Sequence, residues 1–122
     1  MMRRMPVRVL IVDDHAGFRG VARRLLQEMG RLVVGEAGTG AEALKEARRL
    51  KPDLVLLDIQ LPDIDGLAVA KSLSSDSDPP AVVLVSSRDA ADYGPRLAGC
   101  GALGFIAKAD LSAESLMALL GA

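Results

Sequence analysis

The feature that most constrains the fold is the alternation of two hydrophobic patterns along the chain. Short, continuously apolar runs rich in β-branched residues are typical of strands that are buried on both faces. Between these runs, apolar residues recur every three or four positions, as they do on one face of a helix. Strands that alternate with helices favour a parallel sheet covered by helices on both sides. The sequence therefore predicts an α/β, doubly wound fold.

Five predicted strands and five predicted helices follow one another without an evident linker or repeat. The strands are predicted at VRVLIVDD, LVVGEA, DLVLLDI, AVVLVSS and GFIAK. The helices are predicted at AGFRGVARRLLQEMG, TGAEALKEARRL, LAVAKSLSS, DAADYGPRLAGCG and SAESLMALL, with Thr39 and Ser112 as N-caps. The fourth helix is weak because Gly94 and Pro95 interrupt it. We therefore predict one domain over residues 1–122.

Composition narrows the class of protein. With 122 residues, 50% of them hydrophobic, the chain can bury one core. A net charge of −1 gives no electrostatic attraction to nucleic acid or to an anionic membrane.

The single cysteine, Cys100, excludes an internal disulfide, suits the cytoplasm and is expected to be a small buried hydrophobe. No apolar run reaches the ~18 residues of a membrane span, and MMRRMPVRVLIV lacks the pattern of a signal peptide.

Polar side chains stand where four of the predicted strands end. Asp13 and Asp14 follow the first strand, Asp58 the third, Ser86 the fourth and Lys108 the fifth. The carboxyl ends of parallel strands meet at one edge of a sheet, so three carboxylates converge if the first and third strands are neighbours. A hard cation such as Mg²⁺, or Mn²⁺ in its place, relieves their mutual repulsion. This set is sufficient for metal-assisted phosphoryl transfer onto an aspartate.

These segments carry a resemblance to a known family. VRVLIVDDH, LVLLDIQLPDIDG, VVLVSS and GFIAK resemble the receiver domain of bacterial two-component response regulators, and the spacings from Asp14 to Asp58, Ser86 and Lys108 agree with it. The DDH motif and the SS pair resemble the NarL/LuxR-type subfamily, whose members usually carry a C-terminal helix-turn-helix. The resemblance implies a CheY-like, flavodoxin-like (βα)5 fold with strand order 2-1-3-4-5.

The resemblance also implies roles for individual residues. Asp58 is the expected phosphoacceptor, and Mg²⁺ is expected to be held by Asp13, Asp14, Asp58 and the backbone carbonyl of Gln60. Ser86 and Lys108 are expected to contact the phosphoryl group.

A second set of expected roles concerns switching and the lifetime of the phosphoryl group. Ser86 and Phe105 form the expected switch, which changes the face made by the fourth helix, the fifth strand and the fifth helix. Core packing is the alternative role for Phe105. Gln60 and Arg88 are expected beside the phosphate, where they tune its lifetime.

The expected partners follow from the same resemblance. A histidine kinase or a phosphotransfer protein would donate the phosphoryl group. A downstream protein, or a C-terminal output domain absent from this chain, would receive the signal. The domain would catalyse only its own phosphorylation and dephosphorylation, without binding nucleic acid or membrane directly. A phosphorylation-dependent homodimer is an alternative. The ending LMALLGA favours a stand-alone receiver over a piece of a longer regulator.

Three other functions remain as alternatives. A flavodoxin-like module for flavin or nucleotide is disfavoured by the scarcity of aromatic residues, since the chain has two Phe, one Tyr and no Trp. A phosphohydrolase that forms an aspartyl phosphate would need a second carboxylate where Gln60 stands. A degenerate receiver would signal by binding alone.

Two further groups invite functional interpretations, and for both we favour the plainer one. His15 is interpreted as a residue of a loop or of the start of a helix, with no carboxylate or hydroxyl partner. Arg19, Arg23 and Arg24 are interpreted as a solvated helix face rather than a docking patch for a kinase.

Overall fold

The computed structural model describes residues 7–121 and places five parallel strands in one sheet. Their order across the sheet is β2-β1-β3-β4-β5, which confirms the predicted fold class and strand order. The strands are β1 (Arg8–Val12), β2 (Leu32–Ala37), β3 (Leu54–Asp58), β4 (Ala81–Ser86) and β5 (Gly104–Ala107). The first six residues of the segment considered as a signal peptide, like residue 122, lie outside the described residues.

Within residues 7–121, four α-helices connect or follow the strands: α1 (Ala16–Glu28), α2 (Gly40–Leu50), α3 (Gly66–Ser74) and α4 (Ala113–Leu120). Both predicted N-caps are confirmed. The Thr39 hydroxyl accepts a hydrogen bond from the backbone N–H of Glu42 at 3.1 Å, and the Ser112 hydroxyl accepts one from the N–H of Ser115 at 3.1 Å. Each cap satisfies a backbone donor that has no partner inside its helix.

The predicted fourth helix is wrong. Between β4 and β5 the chain forms two 3₁₀ turns, Ala90–Asp92 and Gly94–Arg96. Gly94 has a φ of +60°, a left-handed conformation that ends a right-handed helix. Pro95 lacks the N–H that would continue a helical hydrogen-bond ladder. A short irregular connection therefore stands where the sequence pattern predicted a helix.

The sheet is buried on both faces because alternate residues of each strand point to opposite sides. One layer packs under α2 and α3, the other under α1 and α4. In β1, Leu10 and Val12 belong to the first layer, whereas Val9 and Ile11 belong to the second. Cys100 is buried in the first layer, as predicted. None of the helices in residues 7–121 is both long and apolar enough to cross a membrane.

Candidate functional site

The predicted polar residues gather at the carboxyl edge of the sheet, as the parallel topology requires. β1 lies beside β3, β3 beside β4 and β4 beside β5. Asp13 follows β1, Asp58 ends β3, Ser86 ends β4 and Lys108 follows β5. Asp13, Asp58 and Ser86 are buried, with exposed fractions of 0%, 2% and 0%. Buried polar groups are costly unless they are paired, so these residues are not a solvated strand end and this edge is the candidate functional site.

Lys108 joins the two buried carboxylates. Its Nζ lies 2.6 Å from Oδ2 of Asp13 and 3.4 Å from Oδ2 of Asp58. The ammonium also lies 4.4 Å from the centroid of the Phe18 ring, a cation–π contact from α1. Burial works against the charge of Lys108, but the carboxylates of Asp13 and Asp58 outweigh burial and raise its pKa. Lys108 therefore remains a cation at the centre of the site.

Asp58 is the carboxylate that burial perturbs most clearly. Burial raises its pKa from 3.8 to about 6, and the negative charge of Asp13 adds to the rise. Two contacts act in the opposite direction: the backbone N–H of Gln60 donates to Oδ1 at 3.1 Å, and Lys108 lies beside Oδ2. These opposing effects leave the pKa of Asp58 at about 6, so the carboxyl group is mostly ionised at pH 7.

The acidic residues lie close enough together to hold one metal ion. Asp13, Asp14, His15 and Asp58 each offer one ligand atom, and these atoms all lie within 4.8 Å of one another. Oδ2 of Asp13 is fully buried and accepts no hydrogen bond of good geometry, so only the charge of Lys108 compensates it. An oxygen-rich donor set with an incompletely satisfied buried carboxylate fits a hard divalent cation.

The interpretation of His15 as a residue without a carboxylate partner was wrong. Its Nδ1 lies 3.2 Å from Oδ1 of Asp13 and 3.0 Å from Oδ1 of Asp14, and its backbone N–H donates to Oδ1 of Asp13 at 2.8 Å. Its place at the N-cap of α1 is confirmed. The turn from β1 into α1 folds the imidazole back over the two aspartates, which residue spacing alone did not reveal.

Arg24 is exposed, as the interpretation of a solvated helix face expects, whereas Arg19 and Arg23 are half-buried and ion-paired. Both donate to the carboxylate of Glu36 on β2, through Nε atoms at 2.9 and 2.7 Å. Hydrogen bonding to Arg23, and then to Arg19, holds the pKa of Glu36 below its usual range. Arg19 also donates to the backbone carbonyl of Asp13 at 2.7 Å. These contacts brace the loop that carries the acidic residues.

The predicted switch residues Ser86 and Phe105 contact a residue that the sequence did not single out. The hydroxyl of Ser86 lies 2.6 Å from the hydroxyl of Tyr93 and accepts the backbone N–H of Arg88 at 3.0 Å. The ring of Phe105 packs against the ring of Tyr93, with centroids 6.1 Å apart. Tyr93 was missed because its segment was interpreted as a helix. The one sequence signal that could have singled out Tyr93 is that the chain has no other tyrosine.

Gln60 makes two contacts at the site. Its backbone N–H donates to Asp58, and its side chain contacts Ser87. The side-chain carbonyl of Gln60 accepts a hydrogen bond from the Ser87 hydroxyl at 3.2 Å. Gln60 and Ser87 follow β3 and β4, so their contact closes the edge of the site between these two strands.

This fold and this arrangement of charges define the class of protein. The chain belongs to the response regulator receiver domain family, whose model matches residues 9–120. This result confirms the resemblance inferred from the motifs. Receiver domains of this family serve in two-component signalling, and the acidic residues Asp13, Asp14 and Asp58 form the pocket expected of them.

A named relative agrees with this assignment. The response regulator GacA of Pseudomonas viridiflava is 40% identical over 114 residues, which cover 93% of this chain and 53% of GacA. The chain therefore spans about half the length of the curated relatives it matches.

Solved structures agree as well. The response regulator domain of Thermotoga maritima CheB is 31% identical, with a TM-score of 0.81 and coverage of 95% of both chains. A LuxR-family two-component response regulator from Aurantimonas sp. SI85-9A1 is 27% identical, with a TM-score of 0.85 and coverage of 94% of this chain and 83% of that one.

Proposed function

We propose that this chain is a phosphoryl-accepting switch in which Asp58 is the phosphoacceptor and Mg²⁺, or Mn²⁺, is the cofactor. The observation that carries the proposal is the carboxylate of Asp58, buried at the end of β3 with Lys108 beside it and Asp13 and Asp14 close enough to share one metal ion with it. A buried nucleophile beside a cation and a set of metal ligands is the arrangement that phosphoryl transfer to a carboxylate requires.

Each residue has a defined part in the proposed reaction. An ionised oxygen of Asp58 attacks the phosphorus of a phosphohistidine, the phosphorus–nitrogen bond breaks, and an acyl phosphate forms on Asp58. Bound Mg²⁺ supplies positive charge that offsets the developing charge on the phosphoryl oxygens. Asp13, Asp14, Asp58 and the backbone carbonyl of Gln60 would hold the ion. Lys108 and the hydroxyl of Ser86 would bind the phosphoryl oxygens.

The proposed partners follow from the family. A histidine kinase or a phosphotransfer protein is the donor, and the domain acts in the cytoplasm. The output is a downstream protein or a C-terminal output domain, because the matched relatives extend well beyond the matched region. The signalling face would comprise the β4–β5 connection, β5 and α4, and would respond through Ser86 and Phe105. Phosphorylation-dependent homodimerisation of this face is the alternative output.

The proposed function is tested by intact-protein mass after incubation with acetyl phosphate, with and without Mg²⁺. We expect one phosphoryl adduct on the wild-type protein in Mg²⁺, and none when EDTA replaces it. Asp58→Asn should show no adduct under either condition, because the amide is not a nucleophile.

Asp78→Asn is the matched control, since Asp78 is exposed and remote in sequence from the acidic residues. It should label like the wild type. An adduct of equal yield on Asp58→Asn would refute the assignment of Asp58. An adduct of equal rate and yield in EDTA would refute the role of the metal.

Gln60 offers a separate prediction about the lifetime of the phosphoryl group. Its side chain lies at the edge of the site, held by Ser87. Gln60→Ala removes this cover and should let water reach the acyl phosphate more easily, shortening its half-life by about two- to tenfold. The measurement is the decay of the adduct after acetyl phosphate is removed, with Arg88→Ala compared in parallel because Arg88 has the same predicted role. Decay unchanged in both variants would rule out a role for these side chains.

A further inference from the structure

The Ser86 hydroxyl is engaged away from the acidic residues. It is fully buried, and its two hydrogen-bond partners, the Tyr93 hydroxyl and the Arg88 N–H, both belong to the connection between β4 and β5. A hydroxyl carries one proton and two lone pairs. The Arg88 N–H uses one lone pair of Ser86, and the 2.6 Å contact with Tyr93 uses the proton or the second lone pair.

Tyr93 is well placed to control this hydroxyl. It lies between the two 3₁₀ turns of the β4–β5 connection, and the first turn is fixed by reciprocal bonds between Asp89 and Asp92. The Tyr93 ring packs against Phe105 of β5, at an interplanar angle of 54°. One side chain therefore links the hydroxyl at the end of β4 to the aromatic ring on β5.

We propose that Tyr93 is a positioning residue whose hydroxyl holds Ser86 in the unphosphorylated state and must release it before Ser86 can serve the phosphoryl group on Asp58. This inference rests on the proposed function. The bond to Tyr93 favours the Ser86 rotamer of the resting protein and so opposes capture of the phosphoryl group. When Ser86 turns to the phosphoryl oxygen, Tyr93 loses its partner, and the β4–β5 connection loses a contact that fixes it.

The first test is the rate of adduct formation with acetyl phosphate and Mg²⁺ in wild type, Tyr93→Phe and Tyr93→Leu. Tyr93→Phe removes the hydroxyl but keeps the ring against Phe105. We expect it to be phosphorylated about two- to tenfold faster than wild type, the range that corresponds to loss of one side-chain hydrogen bond. If the ring alone matters, the Phe variant will behave as wild type and only the Leu variant will differ.

The second test monitors the contact between Tyr93 and Ser86 by tyrosine fluorescence. The chain has one tyrosine and no tryptophan, so its intrinsic fluorescence reports on Tyr93 alone. Beryllofluoride with Mg²⁺ mimics the phosphoryl group on a carboxylate. Its addition should change the wild-type emission until the site is fully occupied. Beryllofluoride raised to the same occupancy of Ser86→Ala should leave the emission of that variant unchanged, because it has no hydroxyl to release.

The outcomes separate this inference from the proposed function. Faster labelling of Tyr93→Phe together with the emission change in wild type supports the role of Tyr93. Equal or slower labelling of Tyr93→Phe, or constant wild-type emission at full occupancy by beryllofluoride, overturns it while the phosphoacceptor role of Asp58 stands. Absence of any adduct on wild type overturns both.

Discussion

Asp58→Asn is expected to raise the free energy of unfolding of the metal-free protein at pH 7 by up to about 3 kcal/mol. Burial and the neighbouring charge of Asp13 raise the pKa of Asp58 from 3.8 to about 6. At ~1.4 kcal/mol per pKa unit, that rise corresponds to at most ~3 kcal/mol of destabilisation of the ionised form. Asparagine keeps the shape of the side chain and removes the charge. Urea denaturation in EDTA measures the effect.

The pH dependence has a definite sign. The folded protein holds the Asp58 proton more tightly than the unfolded chain does, so this residue stabilises the fold below about pH 4. That stability is lost as the pH rises through about 6. The advantage of Asp58→Asn should therefore be small at pH 4 and reach its full size above pH 7.

Two controls accompany this measurement. Asp78→Asn should show little difference from wild type at any pH in this range, because Asp78 is exposed. Mg²⁺ should stabilise the wild type by mass action and Asp58→Asn less. A variant less stable than wild type at pH 7 in EDTA would contradict the electrostatic account.

Gly66→Ala is expected to destabilise the protein by about 3 kcal/mol, or about 10 °C in Tm. A Cβ on Gly66 would lie 2.6 Å from the Cα of Ile59 and 2.9 Å from its carbonyl oxygen, and would meet the Asp58 carbonyl oxygen as well. These are backbone atoms and cannot turn aside as a side chain can. The Gly66 N–H also donates to the Ile59 carbonyl at 2.8 Å, which closes the loop after β3. Thermal unfolding gives the Tm, and labelling by acetyl phosphate should slow because the backbone at Asp58 shifts.

Gly20→Ala is the matched control for that substitution. Gly20 lies in the interior of α1, where a Cβ would meet nothing within 4 Å. Alanine has the better helix propensity, so Gly20→Ala should stabilise the protein by ~0.5–1 kcal/mol. Equal stabilities of Gly66→Ala and wild type would show that the loop after β3 yields more easily than its close contacts indicate.

Local patterns in the sequence were enough to predict a parallel sheet covered by helices, whereas the resemblance to receiver domains implied its strand order. Each β-strand carried its own apolar run, and the N-caps Thr39 and Ser112 were visible as single residues before amphipathic segments. The conformation of the connection between β4 and β5 was harder to predict, because the pattern of its polar and small residues matched that of a weak helix. The left-handed conformation of Gly94 decided the outcome.

The position of the candidate site was predictable, whereas its internal contacts were not. Polar residues at strand ends must meet at one edge of a parallel sheet, so Asp13, Asp58 and Lys108 could be grouped from sequence position. No sequence pattern gave the closer approach of Lys108 to Asp13 than to Asp58. Sequence spacing also did not predict that the His15 imidazole contacts the aspartates, or that Arg19 donates a hydrogen bond to the backbone carbonyl of Asp13.

By itself, the sequence determined the fold class and the edge at which the charged groups gather, because periodicity and strand ends are local properties that parallel topology converts into position. The strand order followed from the resemblance of its motifs to receiver domains. The tertiary structure alone decided which atoms touch there. Tyr93 reaches Ser86 and packs against Phe105 only because the 3₁₀ turns and β5 bring the three side chains together. Such contacts depend on packing between separate elements, to which a residue's own neighbours in the sequence contribute little.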